Sequence, residues 1–183
     1  HFEKMLYDNT SLAYLYLNAY RITKEEKYKD TVEKTLNYLS KEMFSESGGF
    51  YSAQDADSEG VEGKFFIWSI DEINSVLNKE EAEKIISNFN LTKGGNFEGK
   101  NILFKNEDID NEDKKNISIA LKKLYEERSK RIPPLTDKKV ITSWNSMALK
   151  VFAKAGAIFE NKEWIKIAEK NAKYLLKNNI LNN

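Results

Sequence analysis

The sequence has 183 residues, of which 40% are apolar and 12% aromatic, and this composition fits a globular chain with a sizeable core and excludes a disordered tail. Lysine and arginine number 29, as do aspartate and glutamate, so no net charge attracts nucleic acid or a membrane surface, and we expect neither as a partner. The absence of cysteine excludes disulfides, thiolate metal sites and a cysteine nucleophile, and it favours a cytoplasmic location.

Two helices are predicted near the start of the chain. Residues 9–22 carry apolar side chains at helical spacing around most of the helix, which predicts a helix buried on several sides. After a short polar break, residues 26–44 keep their apolar side chains on a single stripe, which predicts a helix that is half exposed to solvent. Because the chain begins at His1 without a methionine, we expect it to be part of a longer protein.

Residues 48–68 predict a β-hairpin with an acidic tip. The β-prone runs 49–52 and 64–68 flank the segment 54–63, which contains four acids and two glycines. Every long segment elsewhere has helical periodicity, so this is the one predicted strand pair, and its tip is the first candidate site. The alternative is a solvated acidic loop. The acids resemble the opening of a calcium-binding loop, but Phe66 would occupy the position that needs glutamate, so calcium is not expected.

The segment 69–131 predicts an insert of short helices. Ser69 begins a capping box, and further helices are predicted over 80–89 and 116–130. The glycine-rich loop 92–101 lacks the preceding strand and the Lys-Ser or Lys-Thr pair of a phosphate-binding loop. We therefore expect no nucleotide and no other cofactor.

The two ends of the chain predict an internal repeat. A shift of 136 positions aligns Asn9 with Asn145, and the alignment continues without a gap across two helices and the turn between them. Residues 9–44 and 145–180 are therefore predicted to be copies of one helical hairpin, each with a buried inner helix and an amphipathic outer helix. Chance similarity between amphipathic helices is the alternative, but it would not reproduce the length of the turn. Such hairpins stack as a solenoid or close into a ring.

The lengths of the connections predict where the loops meet. Connections from inner to outer helices are short, whereas those from outer to inner helices are long. The long loops should therefore all leave the helices at one end, the end that carries the N-termini of the inner helices. This arrangement places Asp55 and Trp144 at the same end, together with Asp8, Asn9 and Asp137.

Four motifs occur in order along the chain: HFEKMLYDN at residues 1–9, GGFYSAQDADSEGVEGK at 48–64, GNFEGKN at 95–101 and TSWN at 142–145. Together they closely resemble the thioredoxin-domain-containing family that includes the spermatogenesis-associated proteins and their bacterial relatives. The resemblance implies that a thioredoxin-like domain precedes an (α/α)6 toroid similar to the six-hairpin glycosidases and the N-acylglucosamine 2-epimerases. The implied fold is mainly α, and residues 1–183 would form a single partial toroid domain that includes the β-hairpin.

The resemblance implies a carbohydrate-related activity of the epimerase or isomerase type. Carboxylates accept hydrogen bonds from sugar hydroxyls or act as acids and bases, and aromatic faces stack on sugar rings. An epimerase needs a base, commonly histidine, with an acid partner, whereas a hydrolase would use two carboxylates. The candidate catalytic residues are His1, Asp55, Asp57, Glu59 and Glu62, and the candidate sugar-binding residues are Tyr51, Trp68, Asp137, Trp144 and Asn145.

Two features weigh on the catalytic hypothesis. His1 is the only histidine, which excludes a metal site of several imidazoles and a complete Ser-His-Asp triad, so no metal is expected. Residues 135–139 read Leu-Thr-Asp-Lys-Lys where bacterial family members have His-x-Asp-Asp-Lys. We expect the chain alone to be inactive, because later hairpins of the toroid would complete the site. The alternative function is a non-catalytic helical module that docks the thioredoxin-like domain through the acidic hairpin.

Overall fold

The computed structural model describes residues 2–104 and 111–179. These residues divide into two compact units, each with an apolar core of its own, and we describe each unit separately. The hairpin unit comprises Glu3–Asp55 and Leu135–Asn183, and the insert unit comprises Phe2 and Ala56–Pro134 within the described ranges.

Helices dominate both units. Among the described residues, no helix combines the length and the apolar character that a membrane span requires. The helices are α1 (Leu6–Thr23), α2 (Glu26–Tyr38), α3 (Ile70–Val76), α4 (Lys79–Asn88), α5 (Asn111–Arg128), α6 (Thr142–Ile158) and α7 (Lys162–Asn178), and a π-helical turn over Leu39–Met43 extends α2. The strands, each of two residues, are β1 (Lys4–Met5), β2 (Ala53–Gln54), β3 (Asp57–Ser58), β4 (Val61–Glu62) and β5 (Thr136–Asp137).

The two helical hairpins of the hairpin unit are copies of one another, as the repeat predicts. The shift of 136 positions places the start of α1 on the start of α6 and the start of α2 on the start of α7. It also places Lys24 on Glu160, and both residues have a left-handed backbone, with φ of 61° and 54°. The match therefore extends to the backbone geometry where each inner helix ends.

The inner helices begin earlier than predicted. The sequence predicts the first inner helix from residue 9, but α1 begins at Leu6, directly after β1. The Asn9 Nδ2 donates to the carbonyl of Met5 (2.8 Å) and the Thr10 hydroxyl donates to that of Leu6 (2.9 Å). Both side chains thus bond to a carbonyl four residues earlier instead of capping free N–H groups.

The inner helix α1 buries one face and exposes another. Leu6, Ala13 and Leu17 are fully buried in the core of the hairpin unit, whereas Leu12 and Leu15 are exposed. The prediction that this helix is buried on several sides is therefore wrong for the described chain. The other helices contribute Val32, Leu36, Ala148, Val151, Phe152, Ala155, Trp164 and Ala168 to the same core.

The predicted β-hairpin is wrong in its strands. Instead of pairing the runs 49–52 and 64–68, the hairpin lies inside the predicted tip, where β3 pairs with β4 across the turn Glu59-Gly60 in the insert unit. Both turn residues have positive φ, as a two-residue turn of type I′ requires. A second sheet, which the sequence did not predict, lies in the hairpin unit, where β2 pairs with β1 on one side and β5 on the other, all antiparallel.

The insert unit is built from short helices, and capping boxes begin two of them. Ser69 caps α3 and Asn78 caps α4, and each is paired with a glutamate three residues later, Glu72 or Glu81, whose carboxylate bonds back to the cap. The predicted capping box at Ser69 is confirmed. The core of this unit includes Trp68, Ile73, Ile85, Phe89, Ile117 and Leu124.

Candidate functional site

The N-terminal ends of α1 and α6 lie together because residues 50–55 cross both of them. The N–H of Phe50 donates to the side chain of Asn145 in the first turn of α6 (2.7 Å). Two residues later, the carbonyl of Ser52 accepts from the N–H of Leu6 at the start of α1 (2.9 Å). The segment therefore joins the starts of the two inner helices.

We call this end of the hairpin unit the loop end, and its exposed or half-buried side chains include Tyr7, Asp55, Asp137 and Trp144. Asp55 follows β2, and its N–H donates to the carbonyl of Leu135 just before β5 (2.8 Å). Asp137 is the last residue of β5, and Trp144 lies in the first turn of α6. The structure thus confirms that Asp55 and Trp144 lie at the same end of the helices.

Asn145 is a structural clamp, which corrects its predicted role in sugar binding. Its side chain is fully buried, and its Oδ1 accepts from the Phe50 N–H (2.7 Å) and from the Asn171 amide (3.0 Å). Its Nδ2 donates to the carbonyls of Phe50 (3.0 Å) and Ile141 (3.1 Å). Because an asparagine side chain offers two donors and two acceptor sites, these four bonds leave none for a ligand.

Tyr7 and Trp144 form an aromatic pair at the loop end. Their ring centroids are 4.9 Å apart, and the ring planes are inclined by 58°. Tyr7 is 36% exposed, and the neighbouring carboxylate of Asp8 raises the pKa of its phenol, so the hydroxyl stays protonated at neutral pH. The pair offers an apolar face, while the Tyr7 hydroxyl is hydrogen-bonded to the Asp8 side chain. Sequence reasoning missed Tyr7, because an aromatic residue on a helix is usually part of the core.

Asp137 is ionised at neutral pH. Its carboxylate pairs with the Lys139 ammonium (3.0 Å) and accepts from the Lys139 N–H (3.1 Å). These bonds to Lys139 hold the pKa of Asp137 below its usual value. Near neutral pH this side chain is therefore a hydrogen-bond acceptor and not a proton donor.

The other predicted site residues are divided between the two units. Tyr51 is half-buried on the segment that crosses the loop end. Asp57, Glu59 and Glu62 belong to the insert unit, where Asp57 lies opposite Glu62 in the β3–β4 pair. His1 lies outside the described residues. Within the described ranges, no group of three histidine, aspartate or glutamate side chains could hold a metal ion.

Trp68 is buried against Arg131, which corrects its predicted role as a stacking surface. Only 3% of Trp68 is exposed, and the Arg131 guanidinium lies 4.1 Å from its ring centroid. Arg131 Nη1 also donates to the carbonyls of Lys64 (3.3 Å), Phe65 (3.2 Å) and Ile67 (2.8 Å). Arg131 therefore holds the loop before α3 in place, a role that sequence reasoning missed.

A polar cleft of about 330 Å³ lies beside Arg131 in the insert unit. Its lining includes lysines and glutamates, and these charges are already paired. Glu72 lies within 3.3 Å of Lys100 and 3.5 Å of Arg131, and Lys64 lies within 2.8 Å of Glu59. The lining nevertheless has more cations than carboxylates, because Lys100 and Arg131 share Glu72, and Lys130 pairs with Glu127, which does not line the cleft.

Protonation of the Glu72 carboxylate is expected to make the insert unit less stable at acidic pH. Burial alone raises the pKa of Glu72, but bonds from Ser69 and the charges of Lys100 and Arg131 outweigh it, so the pKa is below its usual value. Its carboxylate therefore stabilises the fold above the unfolded pKa of about 4.3, and this stabilisation is lost as the pH falls through the lower folded pKa. Glu72→Gln should reduce the difference in unfolding free energy between about pH 7 and about pH 3, measured by urea denaturation. Glu83→Gln, an exposed change in α4, should leave that difference as it is.

The chain is similar to curated proteins over almost all of its length, although no family model matches it. Human spermatogenesis-associated protein 20 is 28% identical over 96% of the chain. Uncharacterized protein B0495.5 of Caenorhabditis elegans is 30% identical over 96% of the chain. The resemblance drawn from the four motifs is confirmed. The chain spans 27% of the length of the human spermatogenesis-associated protein and 29% of the nematode protein.

The fold is shared with a family 76 glycoside hydrolase from a bovine Bacteroides thetaiotaomicron strain. The likeness covers 97% of this chain and 23% of the hydrolase, with a TM-score of 0.54 and 12% sequence identity. At this identity the likeness establishes the fold alone. The chain is therefore mainly α and forms part of an (α/α)6 toroid, as predicted.

Proposed function

We propose that this chain belongs to a carbohydrate-handling toroid and that its loop end binds a sugar. The observation that carries the proposal is the partly exposed pair of Tyr7 and Trp144 at the same end as Asp55 and Asp137. Aromatic faces pack against the apolar face of a sugar ring, and carboxylates accept hydrogen bonds from its hydroxyls. One solved structure that shares the fold is a glycoside hydrolase, and the proposal extends that substrate class to this chain.

The loop end is suited to holding the sugar more than to transferring a proton. Asp137 is ionised near neutral pH, so we assign it the role of accepting hydrogen bonds from hydroxyls. An epimerase or isomerase also needs a base beside the substrate carbonyl, commonly a histidine, and His1 as that base stays a prediction. A hydrolase would instead use two carboxylates, for which Asp55 and Asp137 are the pair at the loop end.

Monosaccharide titration followed by NMR tests this proposal. Adding mannose, fructose or N-acetylglucosamine to the labelled chain should shift the Trp144 indole signal and the backbone amides of Asp55 and Asp137. Trp144→Ala should weaken binding about tenfold, which corresponds to about 1.4 kcal/mol, because the aromatic contact is lost. Trp144→Phe keeps an aromatic ring and should lose less affinity, and circular dichroism checks that both variants fold.

Two variants that each remove one negative charge show whether the sugar binds at the loop end or at the acidic β3–β4 hairpin. Asp137→Asn should weaken sugar binding, whereas Asp57→Asn in the insert unit removes the same charge and should leave the dissociation constant unchanged. Equal losses from the two variants would contradict the assignment to the loop end. A complete absence of sugar-dependent shifts would overturn sugar binding by this chain.

Docking of a thioredoxin-like domain by the acidic hairpin is a second proposal. Its support is the exposure of three carboxylates, Asp57, Glu59 and Glu62, on the two-stranded β3–β4 hairpin. If the hairpin amides shift when a thioredoxin-like domain of the family is added, and monosaccharides cause no shift, this second function is favoured. Asp57→Asn should then weaken the association with that domain.

A further inference from the structure

The tripeptide Glu-Gly-Lys occurs twice in the insert unit, at residues 62–64 and 98–100. Each copy ends a tight turn, because the N–H of the lysine donates to the carbonyl three residues earlier, at 3.4 Å for Lys64 and 2.9 Å for Lys100. The glycine before each lysine has positive φ, 71° in the first copy and 78° in the second, as such turns require of their third residue. The repeated tripeptide therefore forms two similar turns, and a lysine is the last residue of each.

Both turn lysines line the polar cleft of about 330 Å³ in the insert unit. Among the described residues, Lys130 and Arg131 line it as well, whereas only Glu59 and Glu72 contribute carboxylates. Lys130 pairs with Glu127 outside the cleft, at 2.6 Å. Even without Lys130, three cations share two carboxylates, so the cleft has an excess of positive charge.

The ion pairs of the cleft leave donors for a ligand. The Lys100 ammonium lies 3.3 Å from the Glu72 carboxylate and the Arg131 guanidinium lies 3.5 Å from it, and both distances exceed the ~2.7–2.9 Å of a strong charge-assisted hydrogen bond. Burial lowers the pKa of the Arg131 guanidinium, and the charges of Glu72 and Glu127 only partly offset this effect. A further anion beside Arg131 would therefore be stabilised.

Phosphate suits this arrangement better than a carboxylate does. A phosphate monoester has three acceptor oxygens and carries about 1.5 to 2 negative charges, which match two ammonium groups and a guanidinium. A carboxylate has two oxygens and a single charge, so it would match fewer of these donors. A second cavity of about 300 Å³ shares Glu72, Lys130 and Arg131 with the cleft and is also lined by Ser75 and Val76, so it has room for an organic group attached to the phosphate.

We infer that the cleft binds a phosphate group, with Lys64, Lys100 and Arg131 as its partners. The repeated tripeptide then has a physical role, because its glycine permits the turn and its lysine supplies a cation to the cleft. The site does not depend on sugar binding at the loop end, since every residue that lines it belongs to the insert unit.

Titration of the labelled chain with inorganic phosphate, followed by NMR, tests this inference. The amides of Gly63 and Gly99 should shift and saturate with a dissociation constant of about 1 mM or below. Sodium chloride at the same ionic strength should not reproduce these shifts, because it only screens the charges. Glycerol 3-phosphate is titrated in parallel. Tighter binding of this monoester would identify an esterified phosphate as the ligand, and equal binding would identify free phosphate.

Variants show whether the turn lysines are responsible. Lys64→Gln and Lys100→Gln should each weaken phosphate binding about tenfold, because each removes a charged hydrogen-bond donor. Lys93→Gln is the matched control, since it removes the same charge from an exposed residue that does not line the cleft, and it should leave the dissociation constant unchanged. Glu72→Gln keeps a residue suited to the capping box but removes a competing carboxylate, so it should strengthen binding about threefold.

Lys64→Arg separates the charge from the shape of the side chain, because it keeps the cation and should retain binding. Circular dichroism checks that each variant folds. The inference is overturned if phosphate causes no saturable shift at the two turns, or if chloride causes the same shifts. Equal losses of affinity from Lys93→Gln and Lys64→Gln would also overturn it, because binding would then follow the overall charge and not the cleft.

Discussion

Replacing Asn145 with leucine is expected to lower the free energy of unfolding of the hairpin unit by about 3 kcal/mol or more. The change removes the partners of the Phe50 N–H, the Phe50 carbonyl and the Asn171 amide, all in buried residues. Each buried polar group left without a partner costs about 1 to 3 kcal/mol. Urea denaturation, combined with hydrogen exchange of the α6 amides, measures the loss.

The repeat supplies the matched control for this experiment. Asn9→Leu makes the same change at the aligned position, where the described side-chain bond is the one to the Met5 carbonyl. Because Asn9 is half-buried, water can replace the lost partner, and we expect a loss below about 1 kcal/mol. Similar losses from the two variants would show that Asn145 acts through the local helix turn and not through its clamp on Phe50.

The helical architecture could be predicted because its signal is long and repeated. The alignment of Asn9 with Asn145 spans two helices and a turn, and the structure reproduces it down to the left-handed backbone of Lys24 and Glu160. The alignment does not show which aligned residues are buried by neighbouring helices and which are exposed. Leu12 and Ala148 look alike as apolar residues of an amphipathic helix, although the first is exposed and the second is buried.

The strands could not be predicted, because aromatic residues are as typical of a buried core as they are of paired strands. Phe50 and Trp68 lie in the runs interpreted as strands, but the structure uses both as core residues with isolated bridges to Phe44 and Asn101. The true hairpin turn, Glu59-Gly60, lies in an acidic segment without hydrophobic alternation. Strands of two residues are too short to show any period.

The loop end was partly predictable from chain connectivity. The long connections from outer to inner helices correctly placed Asp55 near Trp144, because short inner-to-outer turns force the long loops to one end. Residue type could not separate functional from structural side chains there. Asn145 is a polar residue beside a predicted site, but only its buried bonds to Phe50 reveal that it is a clamp.

Gly48→Ala is expected to lower the free energy of unfolding by about 2 to 4 kcal/mol. The backbone of Gly48 has φ of 107°, which side-chain-bearing residues rarely adopt, and an added Cβ would lie 2.8 Å from the carbonyl oxygen of Lys170 in α7. The carbonyl of Gly48 also accepts from the Asn171 amide (2.9 Å), which in turn donates to Asn145 (3.0 Å). The segment therefore cannot move away from α7 without breaking the clamp.

Gly94→Ala is the control that separates this contact from the general effect of replacing glycine. Gly94 lacks a left-handed backbone, and an added Cβ would meet no heavy atom within 4 Å. Its replacement should change the free energy of unfolding by no more than about 0.5 kcal/mol, since an unstrained surface substitution has little effect. Hydrogen exchange should show lost protection at the starts of α1 and α6 in Gly48→Ala alone, because residues 50–55 tie these two helix starts together. If Gly48→Ala keeps that protection, the close contact between the backbone of residue 48 and α7 does not position the loop end.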